Sequence, residues 1–240
     1  MIAALLGRFE GVRWGKWPSM TTVRLTYYLD VLSSWCLVAE PALARLRQEC
    51  GERLAYDWRI AILFEKQAMG YSRETCDWYY SRTASISGTK LNAAWRESAA
   101  DTTVPANLAA EAARALGVTD DRVRLALARA AMNDGKKLAR RDVATEIAAR
   151  AGGLDPAALG RAMDDPATMA RIDAATAEFK ALGGTMRPTF VLRNDIDDLT
   201  VVSGLYRYES VSACFQEMWH AADGVERFNA AHPAPADATR

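Results

Sequence analysis

Strand signals in this chain fall into two clusters, one in its first quarter and one near its end. Leu25–Leu32 (LTYYLDVL) and Leu54–Leu63 (LAYDWRIAIL) are rich in aromatic and aliphatic residues and contain neither Gly nor Pro. Such runs read as buried strands. Thr189–Arg193 and Leu199–Ser203 carry the later signals, and the polar run Asn194–Asp198 between them predicts a hairpin. From about 64 to 184 no strand is legible. A compact domain does not tolerate a loop of that size, so the stretch must pack as helices against the sheet. A helix from about 37 to 50 joins the first two strands. Leu37, Val38, Leu43 and Leu46 give it an apolar face, and Gly51 stops it. Two strands joined this way form a right-handed parallel crossover. A last helix, about 210–228, buries Cys214, Phe215, Met218 and Val225. The expected class is α/β, with a large all-helical insert between the second and third strands.

Local signals divide the insert. Ser72 begins a short segment ending at Trp78-Tyr79-Tyr80, followed by a loop at Ser85–Gly88. Pro105 opens a helix that ends at Gly117. Asp155 and Asp165 stand as caps before Pro156 and Pro166. The expected organisation is an irregular extension at 1–19, a discontinuous sheet domain at 20–65 and 185–229, the helical insert at 66–184, and a disordered tail at 230–240. Met1–Leu6 is apolar, but Gly7, Arg8 and Glu10 interrupt it too soon for a signal peptide.

Charge narrows the partners. Thirty basic residues balance thirty acidic ones, so no basic excess points to nucleic acid. No apolar run is long enough for a transmembrane helix, and no membrane partner is expected. The cysteines, Cys36, Cys50, Cys76 and Cys214, show no paired metal spacing, and both histidines, His220 and His232, lie near the C-terminus. No metal site is expected, and a reducing, cytoplasmic setting fits.

The chemistry concentrates at Ser33-Ser34-Trp35-Cys36, where the first strand gives way to a helix. A helix N-terminus offers unpaired N–H groups and a positive dipole end. A cysteine there is expected to have its thiolate stabilised and its pKa lowered below ~8.5. On that reasoning Cys36 should react faster than the other cysteines. A serine there stays a hydroxyl and can donate a hydrogen bond to another thiolate.

This junction resembles the active-site segment of thioredoxin-fold proteins. Pro41 lies five residues beyond Cys36, like the helix-kinking proline of thioredoxins, and Arg187-Pro188-Thr189-Phe190-Val191-Leu192 looks like the cis-proline loop and strand of the DsbA-like branch. Asp30-Val31-Leu32-Ser33 is similar to the Asp-Val-Leu-Ser of kappa-class glutathione transferases and 2-hydroxychromene-2-carboxylate isomerases, and Ser203-Gly204 to the Ser-Gly of FrnE-like oxidoreductases. Trp58-Arg59 matches a Trp-Arg in the second strand of this branch. The resemblance implies a thioredoxin fold.

If Pro41 is the kink proline, Ser33 occupies the attacking-cysteine position and Cys36 the resolving one. A rival register reads Cys36-Leu37-Val38-Ala39 with Cys36 attacking. Both lack a Cys-x-x-Cys pair. Kappa-class proteins carry Gly-Ser-Asp-Arg after the last strand, where this chain has Gly204-Leu205-Tyr206-Arg207. No ligand role is carried onto Asn107, because Leu108 replaces the Ser of the family's Pro-Asn-Ser.

The resemblance implies Cys36 and Ser33 as catalytic residues. It implies Trp35, Arg187, Pro188, Thr189 and Gly204 as substrate-binding residues, with Arg187 a cation able to depress Cys36 or hold a carboxylate. The leading expectation is a DsbA-family thiol-dependent oxidoreductase with a monothiol Ser-Ser-Trp-Cys site. The alternatives are a glutathione-dependent isomerase or transferase using Ser33, and a non-catalytic binding protein. No tightly bound cofactor is expected. Glutathione is a candidate co-substrate, a small thiol, disulfide or protein thiol is the expected partner, and a homodimer is allowed.

Overall fold

The computed structural model describes residues 21–66 and 68–235. The expected extension at 1–19 and the last residues of the expected tail lie outside them. The strands are β1 (Val23–Leu29), β2 (Leu54–Ile60), β3 (Thr189–Arg193) and β4 (Leu199–Ser203). Helix α1 (Ser34–Cys50) joins β1 to β2. Between β2 and β3 lie α2 (Arg73–Ser87), α3 (Val104–Ala115), α4 (Arg122–Met132), α5 (Arg141–Gly152), α6 (Pro156–Asp164) and α7 (Pro166–Ala181). Helix α8 (Tyr208–Ala231) is the last element.

The strands form one mixed sheet in the order β2-β1-β3-β4, with β1 and β2 parallel and the other pairings antiparallel. Side chains alternate across β1. Leu25, Tyr27 and Leu29 join the main core with Leu43 and Leu46 of α1 and Phe215 and Met218 of α8. Tyr27 also stacks on Phe190 of β3, centroids 5.1 Å apart. On the opposite face Tyr28 and Val191 pack with Phe179 of α7. Ile62 N–H donates to Thr176 Oγ1 (3.1 Å), fixing α7 to the end of β2.

A buried cation ties the helices to the sheet. Arg124 of α4, only 3% exposed, donates to Glu40 of α1 (2.5 Å) and Tyr56 of β2 (3.0 Å), and pairs with Asp121 (2.7 Å). Two carboxylates and a phenol meet this charge, as burial requires.

Four boundaries differ from the sequence reading, each for a local reason. Strand β1 ends at Leu29 because the Asp30 carboxylate accepts from Leu32 N–H (2.8 Å) and turns the chain. Strand β2 ends at Ile60 because Leu63 N–H turns to the same carboxylate (2.8 Å). Helix α2 runs through the serines read as a loop: Ser87 Oγ donates to Thr83 O (2.8 Å), and Gly88 closes the helix at φ 73°. Helix α8 continues to Ala231, so the first residues of the expected tail are helical.

Candidate functional site

The site grows from the end of β1. The buried Asp30 carboxylate accepts from Leu32 N–H, Leu63 N–H (both 2.8 Å), Thr103 Oγ1 and Asn107 Nδ2 (both 2.9 Å). Asn107 also accepts from Val31 N–H (3.0 Å). Burial raises the Asp30 pKa, and these donors act against that rise. The turn is thereby clamped to β2 and α3, which accounts for Asn107 as a structural residue.

Ser33 follows as the N-cap of α1, its Oγ accepting from Cys36 N–H at 3.4 Å. Helix α1 begins at Ser34 and holds Pro41 inside it, so Cys36 lies in the first turn and Ser33 at its mouth. Counted from Pro41, this places Ser33 at the helix mouth. The rival register reads the helix from Cys36, two residues after its start at Ser34. Ser34 donates to Thr83 of α2 (3.2 Å), whose own hydroxyl donates to Tyr79 O (3.0 Å). Trp35 packs against Tyr206, centroids 5.1 Å apart and rings tilted by 39°.

The expected low pKa of Cys36 is corrected. Cys36 is 3% exposed. Burial pushes its thiol from 9.0 up to about 11, against the opposing influence of Ser33, the Asp30 backbone and Tyr27. Desolvation of the thiolate outweighs the helix terminus here. Tyr27 lies directly beneath, its OH donating to Cys36 O at 3.2 Å.

Arg187 faces backbone carbonyls. Its guanidinium donates to Ala61 O (2.7 Å) and Ile62 O (2.9 Å) and stacks on Phe179 at 4.3 Å, bracing the loop before β3 against the end of β2. The Arg187–Pro188 peptide is cis. Pro188 O accepts from Gly204 N–H (2.8 Å). Thr189, fully buried, donates to Met186 O (2.6 Å). Gly204 adopts φ +77°, and a Cβ there would stand 3.3 Å from Met186 Cβ, so the position suits only glycine.

A cavity of about 280 Å³ opens where these pieces meet. Ser33, Ser34 and Trp35 line one side and Thr185, Met186 and Arg187 another. Tyr79, Arg82 and Thr83 of α2 come from a third, and Phe64 and Tyr71 add aromatic wall. Of the residues expected from sequence, Ser33, Trp35 and Arg187 therefore reach the cavity. Cys36, Pro188, Thr189 and Gly204 are absent from its lining. The α2 contribution was not foreseen. Its signal was the spacing Tyr79, Arg82, Thr83, which puts the three on one helix face. That signal was masked because the helix was read as ending at Tyr80.

A differential labelling experiment checks the state of Cys36. Cys214 is the one partly exposed cysteine, and Cys36, Cys50 and Cys76 are buried. Cys214 is expected to label first. Cys36 labelling should stay slow until pH nears about 11. The sign follows from the raised value: the neutral thiol stabilises the fold fully below about 9, and that contribution is lost as pH climbs toward about 11. Labelling of Cys36 ahead of Cys214 at pH 7 would contradict this assignment.

Among the described residues no group of three or more His, Cys, Asp or Glu could hold a metal ion, and no helix is long and apolar enough to cross a membrane.

The model of the DSBA-like thioredoxin domain family matches residues 24–229. No curated protein matches the chain. Among solved structures, the cytosolic disulfide reductase DsbM from Pseudomonas aeruginosa superposes with a TM-score of 0.67 at 22% identity, covering 83% of this chain and 100% of that one. The same protein with GSH gives 0.64 at 21% identity, over 81% and 98%. A 2-hydroxychromene-2-carboxylate isomerase gives 0.54 at 15% identity, over 88% and 100%. At these identities the likeness is one of fold.

Proposed function

The chain belongs to the DSBA-like thioredoxin family, and from that premise we propose that it binds a small thiol of the glutathione type and activates it through the Ser33 hydroxyl, in isomerase or transferase chemistry. The carrying observation is the exchange of roles across the first turn of α1. Ser33, 7% exposed, sits at the N-cap and lines the cavity, while Cys36, 3% exposed, is absent from the lining and has its thiol pushed up to about 11. A dithiol mechanism needs an accessible low-pKa cysteine at the mouth, and this site offers a hydroxyl there.

The step is simple. Ser33 Oγ accepts from Cys36 N–H, which leaves its own proton to donate. That O–H donates a hydrogen bond to the sulfur of a bound thiolate, and the helix N-terminus adds its positive end. Both favour the thiolate, so the bound thiol releases its proton to solvent at lower pH, and the thiolate adds to an electrophilic double bond held in the cavity, whose displaced electron pair takes a proton from solvent. The relative bound to GSH supports the ligand class, and the isomerase relative supports the reaction class. The four free cysteines support a reducing, cytoplasmic setting.

A second reading, monothiol redox chemistry through Cys36, draws support from the Ser33 and Tyr27 hydroxyls set against its thiol. It requires the first turn of α1 to open.

The test is calorimetric titration with glutathione, together with its thiolate absorbance followed against pH. Bound glutathione should ionise about one pH unit lower than free glutathione, and Ser33→Ala should remove that shift while the fold persists. Insulin disulfide reduction should stay at background. Absence of glutathione binding, or an unchanged thiol pKa in Ser33→Ala, would sink the proposal.

A further inference from the structure

The cavity carries a charge that thiol activation does not use. Among the described residues no acidic side chain lines it, and the lining cations are Arg82 and Arg187. The Arg187 guanidinium is turned onto the carbonyls of Ala61 and Ile62. Arg82 is different. Its guanidinium rests over the rings of Trp78 and Tyr79, 5.0 Å from each centroid, and it has no ion pair among the described residues. Arg73, on the same helix, has Asp77 one turn away (3.4 Å). The aromatic pair thus holds an exposed cation at the rim without neutralising it. The Asp30 carboxylate behind the wall is fully buried and met by four donors.

The position of Arg82 relative to Ser33 is fixed by the next residue on each side. Ser34 and Thr83 are joined hydroxyl to hydroxyl at 3.2 Å. Ser33 precedes the first and Arg82 the second, and both line the same 280 Å³ space. A single small ligand can therefore span them.

We infer that Arg82 is a specificity-determining residue that selects thiols carrying a carboxylate over neutral or cationic ones, by pairing with that carboxylate while the sulfur lies at Ser33. This rests on the thiol-binding reading above. An arginine fork matches a carboxylate with two parallel hydrogen bonds, which a neutral thiol cannot return.

The probes are glutathione and its diethyl ester, in which both carboxylates are masked, titrated calorimetrically into the full chain. The unmodified chain should bind glutathione about 2- to 5-fold more tightly than the ester, the upper part of the range for a rim-exposed charge pair. Arg82→Ala should reduce glutathione affinity to the level of the ester and leave the ester unchanged. Arg82→Lys should restore part of the preference, and Arg82→Glu should reverse it. Equal binding of the two probes by the unmodified chain, or equal weakening of both in Arg82→Ala, overturns the role of Arg82 while leaving thiol binding intact. Binding of neither probe overturns the thiol reading and this inference together.

Discussion

Replacing Asp30 with alanine is expected to destabilise the fold by about 3–5 kcal/mol, the range for removing one partner of a buried charged network. The carboxylate is wholly buried and receives donors from the turn after β1, the end of β2 and the start of helix α3. Alanine leaves Leu32 N–H, Leu63 N–H, the Thr103 hydroxyl and the Asn107 amide without an acceptor in a dry interior. Each such loss has a desolvation cost of about 1–3 kcal/mol, partly recovered by relaxation and entering water. The melting temperature should fall by roughly 10 °C for a chain of this size. Urea unfolding with an unchanged m-value measures the loss directly. A loss below about 1 kcal/mol would show that the four donors find other partners and that the clamp is not where the stability lies.

Replacing Ser33 with cysteine is expected to create a working dithiol with Cys36. The two positions are separated by one helical turn, which places their Cβ atoms about 5–6 Å apart before adjustment, near the span that a disulfide closes. The new cysteine stands at the N-cap, where a pKa near ~7 is typical of the first cysteine in such motifs. Against a Cys36 thiol at about 11, its thiolate fraction at pH 7 is several thousand-fold greater. Lower intrinsic nucleophilicity takes back most of two orders of magnitude, leaving a gain of roughly 100-fold in thiol reactivity. Mass spectrometry after mild oxidation should show one intramolecular disulfide. Ala39→Cys should show none with Cys36, because both positions lie buried inside α1. Disulfide formation in Ala39→Cys but not in Ser33→Cys would reverse the assignment of the turn.

The parts of this structure that follow from short-range chemistry were legible in the sequence. The hairpin Thr189–Ser203, the prolines opening α6 and α7 and the aspartates capping them are set within a few residues of themselves. So was the placement of Ser33 at a helix mouth. What escaped depends on groups brought together from far along the chain. The ends of β1 and β2 are set by one carboxylate whose partners include Thr103 and Asn107, 73 and 77 residues away. The Cys36 pKa is set by burial under packing that no local rule encodes. Arg187 read as a free cation because its acceptors, the carbonyls of Ala61 and Ile62, are backbone atoms more than a hundred residues distant.

The cavity has two kinds of wall. One is made by the α1 turn and the loop before β3, both locked into the sheet by buried hydrogen bonds. The other is a face of α2, with Tyr79 and Arg82 exposed on it. Substitution on the first wall disturbs groups that the core relies on. Apart from Thr83, which is buried and bonded to Ser34, substitution on the second touches mainly solvent and whatever enters from it. Selection acting on ligand choice therefore has a surface to work on that is nearly independent of selection for stability. Among related chains, the face of α2 should diverge fastest while the turn beneath it stays fixed.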